Sequence, residues 1–200
     1  MKRLIMTMTV VMLALILVSC ASTPKVRRVD AGTPRDLTGF WNDTDVRIVS
    51  EALIADFLGS PRVAQMIDGM DRTPVVLVGR FRNESSEHID TAIISTTMET
   101  VIFNTGKLDF VAGGAIRDEL RDERRGQQEH ASDATLMRNE TGADFMLFGS
   151  VRSIVERSGR HSVRTYFVSA EMTNLETNQR LWMATNSEIK KTVMQRRNRL

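Results

Sequence analysis

From Trp41 onward, apolar positions fall at helical spacing: Val46, Val49, Leu53 and Phe57 lie on one stripe, and Gly59 stops it. Asn42-Asp43-Thr44 supplies a helix N-cap ahead of that stripe. Ser60-Pro61 marks a second start, an N-cap followed by proline at the first helical position, and leads a short helix through Met66 and Ile67 to Gly69. Residues 73–81 (TPVVLVGRF) form a continuous apolar run of strand length, which predicts a central strand covered on both faces. Between Ile89 and Asn104 the spacing puts Ile93, Ile94, Thr97, Met98 and Val101 on one helical stripe, with Gly106 as C-cap.

A strand is predicted at 108–112, followed by a charged surface helix at 115–125 whose one narrow buried edge is Ile116 and Leu120. A short helix at 132–141 then precedes three strand-like runs at 144–155, 163–173 and 180–189. Ser158-Gly159-Arg160 and Glu176-Thr177-Asn178 suit hairpin turns, so these three strands form an antiparallel meander. The expected fold is α/β (α+β), a single domain over 39–189 with a mixed sheet of about five strands and flanking helices. There is no internal repeat.

Ahead of this pattern the chain reads differently. Lys2 and Arg3 precede an apolar run from Leu4 to Val18, too short for a membrane span of about 20 residues. The run ends in Leu17-Val18-Ser19-Cys20, which resembles the bacterial lipobox and marks Cys20 for lipidation after removal of signal peptide 1–19. Ala21 and Ser22 follow Cys20, and by resemblance to lipoprotein sorting rules this favours the outer membrane, with the protein facing the periplasm. Residues 20–38, with two prolines and no apolar period, read as a lipidated tether. The eighteen residues after Cys20, 21–38, reach at most about 60 Å extended and roughly 23 Å as a flexible coil.

Charge changes the picture only when divided along the chain. The formal net charge is +2, but residues 38–189 carry 16 Lys and Arg against 23 Asp and Glu, while 190–200 carry five basic residues and no acidic one. An acidic body argues against a nucleic-acid partner, and 190–200 is a basic tail, either solvated or touching anionic lipid or wall polymer. The single cysteine excludes a disulfide scaffold and a multi-thiolate zinc site.

His88, His130 and His161 are isolated, and no nucleophile motif occurs, so no catalytic residue, metal or cofactor is expected and no small-molecule substrate. Gly113-Gly114 is either a tight strand-to-helix turn or a weak anion cradle. Trp41 and Trp182 are expected in packing more than at an interface.

Six strings carry a resemblance over nearly the whole body: WNDTDVRIVSEALIADFLGSP (41–61), VGRFRNESSEHIDT (78–91), NTGKLDFVA (104–112), RDERRGQQEHAS (121–132), TGADFMLFGSV (141–151) and LETNQRLWMA (175–184). Together they resemble the LpoB family of peptidoglycan-synthase activators. The resemblance implies a domain like the amino-terminal domain of TolB. It also implies a non-catalytic outer-membrane lipoprotein that binds and stimulates a class A penicillin-binding protein. Family members carry a longer, proline-rich linker, and the tether here is short.

Within that reading, Arg121, Glu123, Arg124 and Arg125 are the expected partner-binding residues, since mixed charge sets orientation and on-rate. The alternative is a periplasmic adaptor, or a secretion component of the CsgG type. A pore-lining role asks for longer strands than the three terminal runs predict.

Overall fold

The computed structural model describes residues 29–30, 33, 36, 38–133 and 139–194. The expected signal peptide, Cys20, most of the expected tether and residues 195–200 lie outside the described residues. The chain divides into two compact units, 1–33 and 34–200. In the first, the described residues are Val29, Asp30 and Thr33, and the Thr33 N–H donates to the Asp30 carbonyl at 3.0 Å. Every element below belongs to the second.

Helix α1, Asp43–Gly59, starts where Asn42 leaves the helical conformation. The Asn42 side chain accepts from the Asp45 N–H at 3.1 Å, and Asp45 Oδ2 accepts from the Asn42 N–H at 2.9 Å, a reciprocal capping box. Helix α2, Pro61–Asp68, follows at once with Ser60 as its cap and Pro61 in the first turn. Strand β1, Val75–Asn83, leads to helix α3, Ala92–Asn104, strand β2, Asp109–Val111, and helix α4, Gly114–His130. Strands β3, Phe145–Ser158, β4, His161–Asn174, β5, Arg180–Asn186, and β6, Lys190–Met194, complete the chain.

The sheet order is β2-β1-β3-β4-β5, with β6 beside the far end of β4. β1 is parallel to both neighbours, and β3, β4, β5 form the expected antiparallel meander. Their turns are set by residues that tolerate the left-handed region, Gly159 at φ +58° and Asn178 at φ +59°. The β3–β4 hairpin is longer than the sequence pattern predicts, 14 residues in each strand.

Alternation along the strands sends Leu147, Val151, Tyr166, Val168, Met172 and Trp182 into one core with α1 and α3. Phe57, 1% exposed, meets Trp182 edge-on at 5.1 Å, and Trp182 Nε1 donates to Asp56 Oδ1 at 2.7 Å. Trp182 is thus a packing residue. Trp41 is half-buried and edge-on to Tyr166 at 5.1 Å.

Three expectations are corrected. The buried stripe of α3 is Ile94, Met98 and Ile102, and Ile93 and Val101 are 51% and 40% exposed, because α3 is rotated to pack on β1 and α1. Ile116 and Leu120 of α4 are 60% and 49% exposed, so the charged helix has no buried edge; none of its residues is buried. The short helix expected at 132–141 is absent at both ends: Ser132 and Asp133 lie in a turn and Asn139–Thr141 are not helical, while 134–138 lie outside the described residues.

The expected basic tail, 190–200, begins as a sixth strand: Lys190–Met194 pairs antiparallel with Thr165–His161 of β4. What recruits it is a set of ion pairs with the entering chain. Lys191 Nζ lies 2.6 Å from Asp45 Oδ2 and 2.7 Å from Asp36 Oδ1, and donates to the Phe40 carbonyl at 3.0 Å. Beside it, Arg164 Nη1 donates to the Gly39 carbonyl at 2.8 Å, and the guanidinium covers the Phe40 ring. Arg164 Nε is 2.8 Å from Glu87 Oε1, which also accepts from the Tyr166 hydroxyl at 2.7 Å, while the Trp41 N–H donates to Glu87 Oε2 at 3.1 Å. Burial and then the Glu87 carboxylate hold the Tyr166 hydroxyl well above the usual phenol range.

Candidate docking surface

Helix α4 sits where the chain leaves β2. Gly113 is its N-cap in extended conformation, and the side chain of Leu77 occupies the space a Cβ at Gly113 would fill. Gly114 follows at φ +52°. The glycine pair is therefore a strand-to-helix turn made tight by Leu77.

Beyond the turn, α4 runs beside the β2 edge and leaves a groove. Phe110, Val111 and Leu120 give it an apolar floor, and Arg117, Arg124 and Glu140 line it. The floor continues to Phe103, exposed on α3 and edge-on to Phe110 at 6.3 Å.

Of the four residues expected to bind a partner, two converge. Arg121 Nε and Nη2 each donate to a Glu140 oxygen at 2.9 Å, and Arg124 Nη2 donates to Glu140 Oε1 at 2.6 Å. This two-to-one clamp ties the chain after α4 back to the helix, and Arg121 also donates to Asp118 at 3.3 Å. Arg125 instead pairs with Asp122, and Glu123 accepts from Gln127 Nε2 at 3.0 Å. Sequence reasoning missed Glu140, which sits 19 residues from Arg121 and carries no local signal.

The hydrogen bonds from Arg121 and Arg124 lower the Glu140 carboxyl from 4.5 to about 2, against an opposing desolvation. A depressed folded-state value means the clamp is fully formed above the ordinary carboxylate range and is lost as pH falls through about 2. Carboxyl NMR of the intact chain is expected to find the Glu140 midpoint near 2. In Arg121→Ala it moves back toward 4.5, and an unshifted midpoint in the variant would refute the clamp.

His88, His130 and His161 are exposed and apart. Among the described residues no three His, Cys, Asp or Glu side chains gather as a metal site.

Comparison with family models gives one match. Residues 45–187 match the family described as peptidoglycan-synthase activator LpoB. Among solved structures, the LpoB C-terminal domain from Escherichia coli is similar at 17% identity, over 76% of this chain and 99% of that one, with a TM-score of 0.43. The LpoB C-terminal domain from Salmonella enterica follows at 17% identity, 68% and 94% coverage, and a TM-score of 0.36. Lipoprotein GNA1162 from Neisseria meningitidis is similar at 14% identity, 60% and 83% coverage, and the same TM-score of 0.36. No curated protein sequence matches. Since the family match runs from the first turn of α1 to just beyond β5, the chain belongs to the LpoB family of peptidoglycan-synthase activators.

Proposed function

We propose that this chain is an outer-membrane lipoprotein, anchored through Cys20, whose folded domain binds a class A penicillin-binding protein and stimulates its peptidoglycan synthesis without doing chemistry itself. Family membership across residues 45–187 is the observation that carries the reading. The groove beside α4 is consistent with it, since an apolar floor rimmed by clamped arginines is the make-up of a protein-docking surface. Arg121 and Arg124 are presented rigidly by Glu140, and Glu123 and Arg125 extend the charged rim. Residues 20–38 act as the tether and keep the domain within about 60 Å of its membrane.

Activation needs no catalytic group. A protein that binds the active conformation of the synthase more tightly than the inactive one shifts the population by that difference, and a tenfold shift takes about 1.4 kcal/mol.

Lipid II polymerisation by the organism's own class A synthases is the test. Full-length chain in detergent is expected to raise the rate several-fold, and the Arg121→Glu, Arg124→Glu double variant to lose most of that gain. Neither binding nor a rate change with any of these synthases would overturn the reading.

A further inference from the structure

Strand β3 outlasts its parallel neighbour. Pairing with β1 ends at Asn83 opposite Val151, where the Glu84 N–H donates to the Val151 carbonyl at 2.8 Å. Among the described residues, β3 then runs on to Ser158 paired only with β4. This free stretch, residues 152–158, spans roughly 20 Å at about 3.3 Å per residue.

The hairpin fixes which of its backbone groups are unused. Gly159 and Arg160 form a two-residue turn, so the flanking Ser158–His161 pair exchanges both bonds and the pattern alternates from there. Glu156, Ile154 and Arg152 bond to β4, while Ser153, Val155 and Arg157 turn their N–H and C=O groups away from it. Two bonds fix the same phase independently. The Val151 carbonyl, two residues before Ser153, faces Glu84, and the N–H of Tyr166, opposite Ser153, donates across the other side of β4 to the Ile189 carbonyl at 2.9 Å. Among the described residues no backbone group pairs with the outward side of Ser153, Val155 or Arg157.

Sheets protect such edges with proline, bulges, charged side chains or a covering segment. Here the charges, Arg152, Glu156 and Arg157, flank the apolar pair Ile154 and Val155. This edge has no proline and no bulge, Ile154 is 55% exposed, and Val155 is half-buried. We propose that Ser153–Arg157 is a docking edge to which the synthase adds an extended segment of its own as a further strand; this rests on the reading of the previous subsection.

The side chains state what that segment carries. Arg152 is already held by Glu84 at 2.6 Å, whereas Glu156 and Arg157 have no ion pair among the described residues. The matching strand has apolar side chains beside Ile154 and Val155, a basic residue opposite Glu156 and an acidic one opposite Arg157.

A second copy of this chain fits poorly. Two-fold antiparallel pairing centred on Val155 brings the Gly159 turn of the second copy level with Val151, where Asn83 and Glu84 already lie. Centring on Glu156 relieves that clash and sets like charges opposite each other.

The test is residue-resolved amide exchange on the full chain in detergent, with and without the purified synthase. The Ser153, Val155 and Arg157 amides are expected to exchange freely alone and to slow at least tenfold in the complex, while Arg152, Ile154 and Glu156 are slow in both. Val155→Pro, which removes an outward donor at an edge where proline is tolerated, is expected to weaken binding about tenfold with the thermal midpoint unchanged. Binding that leaves the three amides fast overturns the docking edge while the activator reading stands. Absence of binding overturns both. Slow exchange in the chain alone that speeds up on dilution assigns the edge to a second copy and also overturns the proposal.

Discussion

Lys191→Met is expected to lower the unfolding free energy by about 3 kcal/mol at neutral pH, because breaking a buried ion pair by removing one partner typically costs about 3–5 kcal/mol. The Lys191 and Asp45 side chains are 10% and 5% exposed, and the ammonium is the group that offsets the burial of the Asp45 carboxylate. Burial holds the Asp45 carboxyl above its ordinary value, and the hydrogen bond from Lys191 pulls it part of the way back.

Without Lys191 that carboxyl rises further. For a carboxyl raised in the folded state, the stabilising contribution of the protonated form is present below the unfolded value and is lost as pH rises through the folded one. The deficit of Lys191→Met therefore shrinks on acidification, and adding Asp45→Asn restores most of the loss at pH 7. Urea unfolding of the three proteins at neutral and mildly acid pH reads this directly. A variant that unfolds at the wild-type midpoint at pH 7 would show that the ion pairs do not hold β6.

Phe57→Ala is expected to cost about 4 kcal/mol, in the range of about 3–5 kcal/mol for removing a buried aromatic ring. Phe57 is 1% exposed at the crossing of α1 and β5, and its loss leaves Trp182 without the ring it abuts. Two measurements check it together, the denaturant midpoint and a red shift of Trp182 emission in the native state. By contrast Ile93→Ser, on a position that the sequence pattern assigns to the core, is expected to change stability by no more than about 0.5 kcal/mol, as for exposed sites generally. If the costs of the two substitutions were reversed, the placement of α3 would be wrong.

These two residues also mark what could be read from the chain. α1 and α2 were legible because their signals are local: Asn42 and Ser60 as caps, Pro61 in a first turn, Phe57 in phase with Val49 and Leu53. The meander was legible because Gly159 and Asn178 sit at turns that require the left-handed conformation. The phase of α3 was not, since Ile93 beside Ile94 and Val101 beside Ile102 write two overlapping stripes, and only packing against β1 and α1 selects one.

Strand β6 was hidden for a related reason. Its lysines read as a solvated run until Asp36, 155 residues away in sequence, is brought beside Lys191. In the candidate site, the sequence named Arg121 and Arg124 but not Glu140, the carboxylate that both of them bond.

Lys191 joins the chain entering the domain to its last described strand, and this gives the fold a mechanical asymmetry. Tension arriving at Asp36 is shared between Lys191 and the Asn42 side chain, both of which bond Asp36 Oδ1, and is met at the next residues by Arg164 on the Gly39 carbonyl. If those contacts part, the elements released are the entering strap and β6, which among the described residues pairs only with β4. The five strands β2-β1-β3-β4-β5 and the helices packed on them stay joined. With the chain anchored as proposed, the strap and β6 act as a fuse between anchor and domain, yielding under strain while the groove beside α4 and the free edge of β3 keep their shape.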